Sequence, residues 1–194
     1  MNLSCVVSAI LLPGGHDERS LCGHRADRIG QVGFRARRGG RADHIVAFAR
    51  VRVYRLWGSD SVAKLPTDAT APPQPRYFPP PGGFRFVLVT LPPGVQEAVA
   101  PPDLGVGFVE LQQKLPGMAE FLEPANPGMH TTDTVDFDVI LSGEVYLELD
   151  DRAEVLLRAG DCVVQNGTRH AWRNRGSQDC VLAVALVGAE RRSS

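Results

Sequence analysis

The sequence predicts a mostly β protein, built on one small antiparallel β-barrel or sandwich. Three observations carry this. From Phe137 to Val187 short apolar or alternating segments follow one another, at the spacing of roughly 8–12 residues that marks an all-β domain. The breaks between them are turn formers: Ser142-Gly143, Asp150-Asp151-Arg152, Ala159-Gly160-Asp161 and Asn166-Gly167. The last pair favours positive φ. The balance of 43% hydrophobic and 22% charged residues over 194 is that of an ordinary globular chain, long enough for one domain with a real core.

Taken in order, residues 3–12 read as a first strand. Arg19 to Arg55 is rich in arginine, lacks lysine and contains Gly39-Gly40. It reads as an exposed insertion, with a basic arm for an anionic partner as the other reading. Val51–Trp57 alternates as a strand does. Residues 66–83 are proline-rich and end in Pro79-Pro-Pro-Gly-Gly83, a run that cannot ladder into a sheet and is expected to cross the surface extended. Phe84–Leu91 is a strong strand, stopped by Pro92-Pro93-Gly94. Between Gly107 and Leu122 the positions Phe108, Leu111, Leu115, Met118 and Leu122 fit one helical face, broken at Pro116-Gly117. This predicts a helix and a short second turn beside the barrel or over its mouth. Strands are then expected at Phe137–Leu141, Val145–Leu149, Glu154–Arg158, Cys162–Gln165, His170–Asn174 and Cys180–Val187. Period two puts Val145 and Leu147 on one face and Tyr146 and Glu148 on the other, without saying which is inside. The organisation expected is residues 1–128 as strands, insertion, proline-rich loop and helix packing on the barrel, with residues 129–188 as the barrel core.

A net charge of −1 gives no general attraction to nucleic acid or to an acidic membrane. No apolar run is long enough to cross a bilayer. Cys5, Cys22, Cys162 and Cys180 form no C-x-x-C pair, and the last two sit in apolar β-like runs, so buried free thiols are expected. The apolar start, Met1 to Leu12, lacks the basic flank and small-residue cleavage site of a signal peptide and reads as a strand. A reducing cytoplasm is the simplest compartment.

Two stretches then resemble the paired motifs of the cupin superfamily. The first family motif is a Gly, His-x-His, a short gap, Glu and a closing Gly. Gly128 and His130 open it here, Thr132 stands at the second His, Asp136 at the Glu and Gly143 at the closing Gly. The second motif is matched by Gly160, Gly167, His170 and Asn174, with Asn166 at the usual Pro. Gly128-Met-His-Thr-Thr-Asp-Thr-Val-Asp-Phe137 also resembles a bacterial and fungal cupin subgroup. Some of its fungal members lie in polyketide-type biosynthetic clusters and are named as oxidoreductases. Gly15-His16-Asp17 and Leu115-Pro-Gly-Met118 look like further features of that subgroup. The resemblance implies a single jelly-roll-like cupin barrel with an amino-terminal strand-and-loop extension and a short helix before the first motif.

Inward side chains come from alternate strand positions, so two strands can aim His130, Asp136 and His170 at one interior point. Two imidazoles and a carboxylate suit a divalent transition metal such as Fe, Mn, Zn or Ni, with positions left open for substrate. The resemblance therefore implies a small-molecule-modifying cupin, metal-dependent, acting on an aromatic or polyketide-like metabolite. Oxidoreductase (dioxygenase-like) chemistry is favoured, with lyase or isomerase chemistry open. A non-catalytic small-molecule-binding cupin, a sensor or carrier, is the alternative, motivated by Thr132. Asp133 as a base near the metal, Trp172 as a stacking surface and Asn174 as an orienting group complete the candidate site. Arg169 and Arg173 are expected to point outward, and His16, His24 and His44 to be ordinary surface histidines. A small-molecule ligand and, by family analogy, a homodimer are the expected partners; neither nucleic acid nor membrane is.

Overall fold

The computed structural model describes residues 43–45, 51–65, 73–95 and 104–192. The expected strand at 3–12, His16, His24, Cys5, Cys22 and most of the arginine-rich segment lie outside these residues. Along the described chain run β1 (Asp43–Ile45), β2 (Val51–Ser59), β3 (Phe84–Leu91), the helix α1 (Leu104–Lys114), β4 (Thr134–Ser142), β5 (Glu144–Glu148), β6 (Glu154–Arg158), β7 (Cys162–Asn166), β8 (Ala171–Arg173) and β9 (Cys180–Gly188). Short 3-10 turns lie at Met118–Phe121 and Asp150–Arg152.

Every strand pairing is antiparallel. A six-stranded sheet has the order β1-β2-β3-β9-β4-β7, and a three-stranded sheet the order β6-β5-β8. Both contribute to one core, in which Val87, Leu182, Ile140, Leu147 and Leu157 are fully enclosed. Each such side chain stabilises the fold by roughly 1.5–3 kcal/mol. The main sheet runs straight across residue 128, because β3 pairs with β9 from Phe84↔Val187 to Leu91↔Cys180. The strands before residue 128 are therefore members of the sheet itself, not a layer packed upon it.

α1 ends where Pro116 removes a donor, and Gly117, at φ 84°, turns the chain into the 3-10 segment. Leu111 and Leu115 are buried as the helical face requires. Phe108 departs from that face: it is 57% exposed and points to solvent. Gly143 joins β4 to β5 at φ 76°, and a Cβ there would lie 2.5 Å from the carbonyl oxygen of Asp179. Only glycine fits both constraints.

The structure settles two questions of polarity. In β5 it is Val145 and Leu147 that are buried. In β4 the inward positions are Thr134, Asp136, Asp138 and Ile140, whereas Phe137 and Leu141 are exposed at 48% and 50%. The apolar side of β4 thus faces out and a polar pair faces in. Cys180 is buried and Cys162 half-buried, both as free thiols.

Candidate functional site

The pairing of His130 with His170 defines the site. The two residues exchange both backbone hydrogen bonds, each N–H donating to the other's carbonyl at 2.9 Å. Antiparallel residues so paired project their side chains to the same face. The two imidazoles accordingly lie side by side, ring centroids 4.2 Å apart. Each Nδ1 meets a backbone carbonyl two residues back, Gly128 O at 2.9 Å for His130 and Thr168 O at 3.0 Å for His170. A carbonyl can only accept, so Nδ1 carries the proton in both rings and Nε2 keeps its lone pair. Burial pushes the pKa of His130 down and that of His170 down to about 3, in the latter case helped by His130 alongside. Both rings are neutral acceptors at pH 7.

They open on a cavity of about 110 Å³ between the sheets, roofed by Leu111, Leu115 and Met118 from the helical segment. Its floor and walls are mainly apolar. The polar exceptions are the two histidines, Asp136, Asp138 and Tyr77. Asp136 and Asp138 are 5% and 3% exposed, and among the described residues Asp136 Oδ1 and Asp138 Oδ2 have no hydrogen-bond partner. Burial raises Asp136 to about 6, with the Thr134 hydroxyl pulling the other way. Burial, then the charge of Asp136, holds Asp138 well above the carboxylate range. Tyr77 is raised by burial and by both carboxyls. Trp172, on β8 opposite Leu147, sets its ring edge-on to His170 with centroids 6.0 Å apart.

Of the side chains predicted from sequence, His130, His170, Asp136 and Trp172 meet at this cavity. Asp133 does not. It lies on the outer surface in an ion pair with Arg191 at 2.5 Å. Asn174 is buried away from the cavity, its amide donating to Leu91 O and Gln178 O and its oxygen accepting from Gly176 N. It ties the end of β3 to the loop before β9. Thr132, at the position of the second motif histidine, is buried and accepts a hydrogen bond from Thr134. Arg173 corrects another expectation: its side chain is 15% exposed and paired with Glu148. Arg169 is half-buried and clamped between Glu123 and Asp150.

The donors expected to hold a metal suit one chemically, and imidazoles pinned through Nδ1 are oriented as metal-bound histidines are. The placement does not follow. Among the described residues, no group of three or more His, Cys, Asp or Glu side chains could hold a metal ion. His130, Asp136 and His170 line one cavity.

Sequence reasoning missed Asp138 and Tyr77. Asp138 carried a signal, being two positions from Asp136 and so on the same face of β4. Tyr77 comes from the proline-rich stretch and carried none. No helix among the described residues is long and apolar enough to cross a membrane.

A family model described as Cupin domain matches residues 120–187. "Phomopsin biosynthesis cluster protein D" of Diaporthe leptostromiformis is 49% identical over 47 residues, 24% of this chain and 25% of that protein. "Oryzines biosynthesis cluster protein J" of Aspergillus oryzae is 48% identical over 61 residues, 31% of this chain and 34% of that protein. The chain thus matches about a quarter to a third of the length of these relatives. A solved Cupin 2 conserved barrel domain protein from Salinispora arenicola aligns over 72% of this chain and 77% of its own, at 16% identity and a TM-score of 0.39. Cupins commonly bind a metal, and the family hosts small-molecule sites. The double motif at His130 and His170, the antiparallel strands that carry it and the domain match together identify residues 120–187 as a cupin domain.

Proposed function

We propose that this protein is a small-molecule-modifying cupin that works by proton transfer, with Asp136 as the general base. The observation that carries this is the unpartnered, buried Oδ1 of Asp136 opening on the cavity, on a group whose pKa of about 6 lies close to neutral pH. A general base is most effective when its pKa lies near the working pH. The two neutral imidazoles offer Nε2 lone pairs that orient a substrate hydroxyl or N–H. Trp172 and the apolar walls take the rest of the molecule. Asp136 would remove a proton from a C–H made acidic by a neighbouring carbonyl. Returning that proton to another carbon isomerises the substrate, and passing it to a departing hydroxide eliminates water. The relatives' names, drawn from biosynthesis clusters, support a secondary metabolite as substrate, and the aromatic lining of Trp172, Tyr77 and Phe78 favours an aromatic or polyketide-like one.

The test uses phenylacetaldehyde, an aryl aldehyde with exchangeable α-hydrogens, in deuterated water, with α-deuteration read by mass spectrometry. The wild-type chain is expected to accelerate exchange, with a rate rising through about pH 6. Asp136→Asn is expected to lose about 10²–10⁴-fold. Unchanged exchange in Asp136→Asn would remove the proposal. So would a stoichiometric transition metal that His170→Ala releases, which would put a metal-dependent oxidoreductase in its place. Ligand binding with no exchange at all would leave a non-catalytic binding cupin.

We also infer a homodimer formed through the outer face of the main sheet. Phe86, Ala185, Phe137 and Val164 lie in one row across β3, β9, β4 and β7. An antiparallel sheet that faces water is normally polar on that side. Four strands of about eight residues cover roughly 500 Å² of flat sheet, of the order of the ~800 Å² per partner in a standard interface. Sedimentation should give a dimer for the wild type and a monomer for Phe137→Glu; a monomeric wild type refutes the inference.

A further inference from the structure

We propose that the molecule bound in this cavity carries a protonated amine, seated between Asp136 and Asp138. The proposal rests on the reading of the cavity as a substrate site and adds the class of ligand that fills it. The free polar atoms there are acceptors. His130 and His170 have committed their ring N–H groups to backbone carbonyls, so each presents an acceptor nitrogen. Asp136 Oδ1 and Asp138 Oδ2 are buried with no donor from the protein. The two aspartates stand two residues apart on the inward face of β4, about 7 Å from Cα to Cα, so that one small group placed between them meets both.

None of the described residues lining the cavity is a lysine or arginine. Two buried carboxyls, each with an oxygen that lacks a donor, are a costly arrangement in a folded chain. A ligand carboxylate would crowd a third carboxyl against them. A hydroxyl brings one donor. An ammonium brings three donors and a positive charge that favours the ionised form of the carboxyls beside it. The walls fit the same group, since Trp172, Tyr77 and Phe78 surround it with aromatic surface, which attracts cations and also packs on apolar carbon. Tyr77 lines the same cavity, and its hydroxyl feels both carboxyls. An inorganic divalent ion is the other cation of suitable charge, but among the described residues no group of three or more His, Cys, Asp or Glu side chains could hold one.

Three ligands of one shape decide the matter: phenethylamine, phenethyl alcohol and hydrocinnamate, titrated calorimetrically into the full chain. The amine is expected to bind at least about tenfold more tightly than the alcohol, from charge-assisted hydrogen bonds, with hydrocinnamate the weakest. In Asp138→Asn the amine should lose its advantage and bind no more tightly than the alcohol does to the same variant. Equal affinities, or a preference for the acid, overturn the proposal. If the alcohol binds and the amine does not, the amine proposal fails and the substrate cavity stands. If none of the three binds, both fail. Should Asp138→Asn not fold, the ranking on the wild-type chain decides alone.

Discussion

Replacing Arg85 with methionine is expected to lower the stability of the protein by about 3 kcal/mol, which for a domain of this size is roughly 6–12 °C in melting temperature. Arg85 lies on β3 with its side chain fully enclosed, an unusual place for a guanidinium. It survives there because both Nη groups are used, Nε alone lacking a partner among the described residues: Nη1 meets Ser59 O and Phe84 O, each at 3.0 Å, and Nη2 meets Arg76 O at 3.1 Å and the carboxylate of Asp60. These acceptors belong to the end of β2, the start of β3 and the segment that carries Tyr77 into the cavity. The backbone makes room for it, since a Cβ at Gly58 would lie 2.8 Å from Arg85 Cδ. Methionine fills most of the volume but leaves several carbonyls without donors, and each buried unsatisfied acceptor costs about 1–3 kcal/mol. Asp60→Asn should cost less, about 1 kcal/mol, because Asp60 is 39% exposed and water replaces part of what it loses. Urea denaturation of the two variants measures both. A variant Arg85→Met as stable as the wild type, or an Asp60→Asn that costs more than it, would show that the guanidinium is not the tie between these segments.

The parts of the molecule legible in the sequence are those fixed by local chemistry. Turn residues at Gly143, Gly160 and Gly167, all at positive φ, mark strand ends whatever the rest of the chain does. The approach of His130 to His170 follows from motif spacing and from the two-residue period of strands. What was hidden depends on contacts distant in sequence. Alternation in β5 shows two faces but not which one is inside, and the structure supplies the answer by burying Val145 and Leu147. Asn174 belongs to a motif and so looked functional, yet its partners are Leu91, Gln178 and Gly176. Tyr77 reaches the site because its N–H donates to Pro116 O at 2.9 Å, 39 residues along the chain. The metal set was read from residue types, and convergence within coordinating distance is a property of side-chain placement, which spacing does not fix.

Asp136→Asn should stabilise the protein by about 3 kcal/mol at pH 7 and above, and by nothing below about pH 4. The sign follows from proton binding. Asp136 titrates near 3.8 in the unfolded chain and at about 6 when folded. Between those values the native state holds a proton that the unfolded state has released. Stability therefore falls as pH rises through that window and is level above it. The amide cannot ionise and escapes this loss. His170 works in the opposite sense. Its folded pKa of about 3 lies below the unfolded 6.5, so the unfolded chain binds the extra proton and stability falls as pH drops from 6.5 toward 3. That amounts to about 1.4 kcal/mol per unit, or roughly 3 kcal/mol by pH 4.5. Between 3.8 and about 6 the contributions of this carboxyl and this imidazole offset one another. His170→Gln removes the rising limb and should be more stable at pH 4 relative to pH 7 than the wild type is. Asp136→Asn removes the falling limb and should show the reverse. Urea midpoints measured from pH 3.5 to 8 test the pair. If the gain from Asp136→Asn is the same at every pH, Asp136 does not titrate in the cavity as a buried carboxyl must. The base assigned to the reaction would then lose its physical ground, because the burial that costs the fold this stability is also what places its pKa near neutrality.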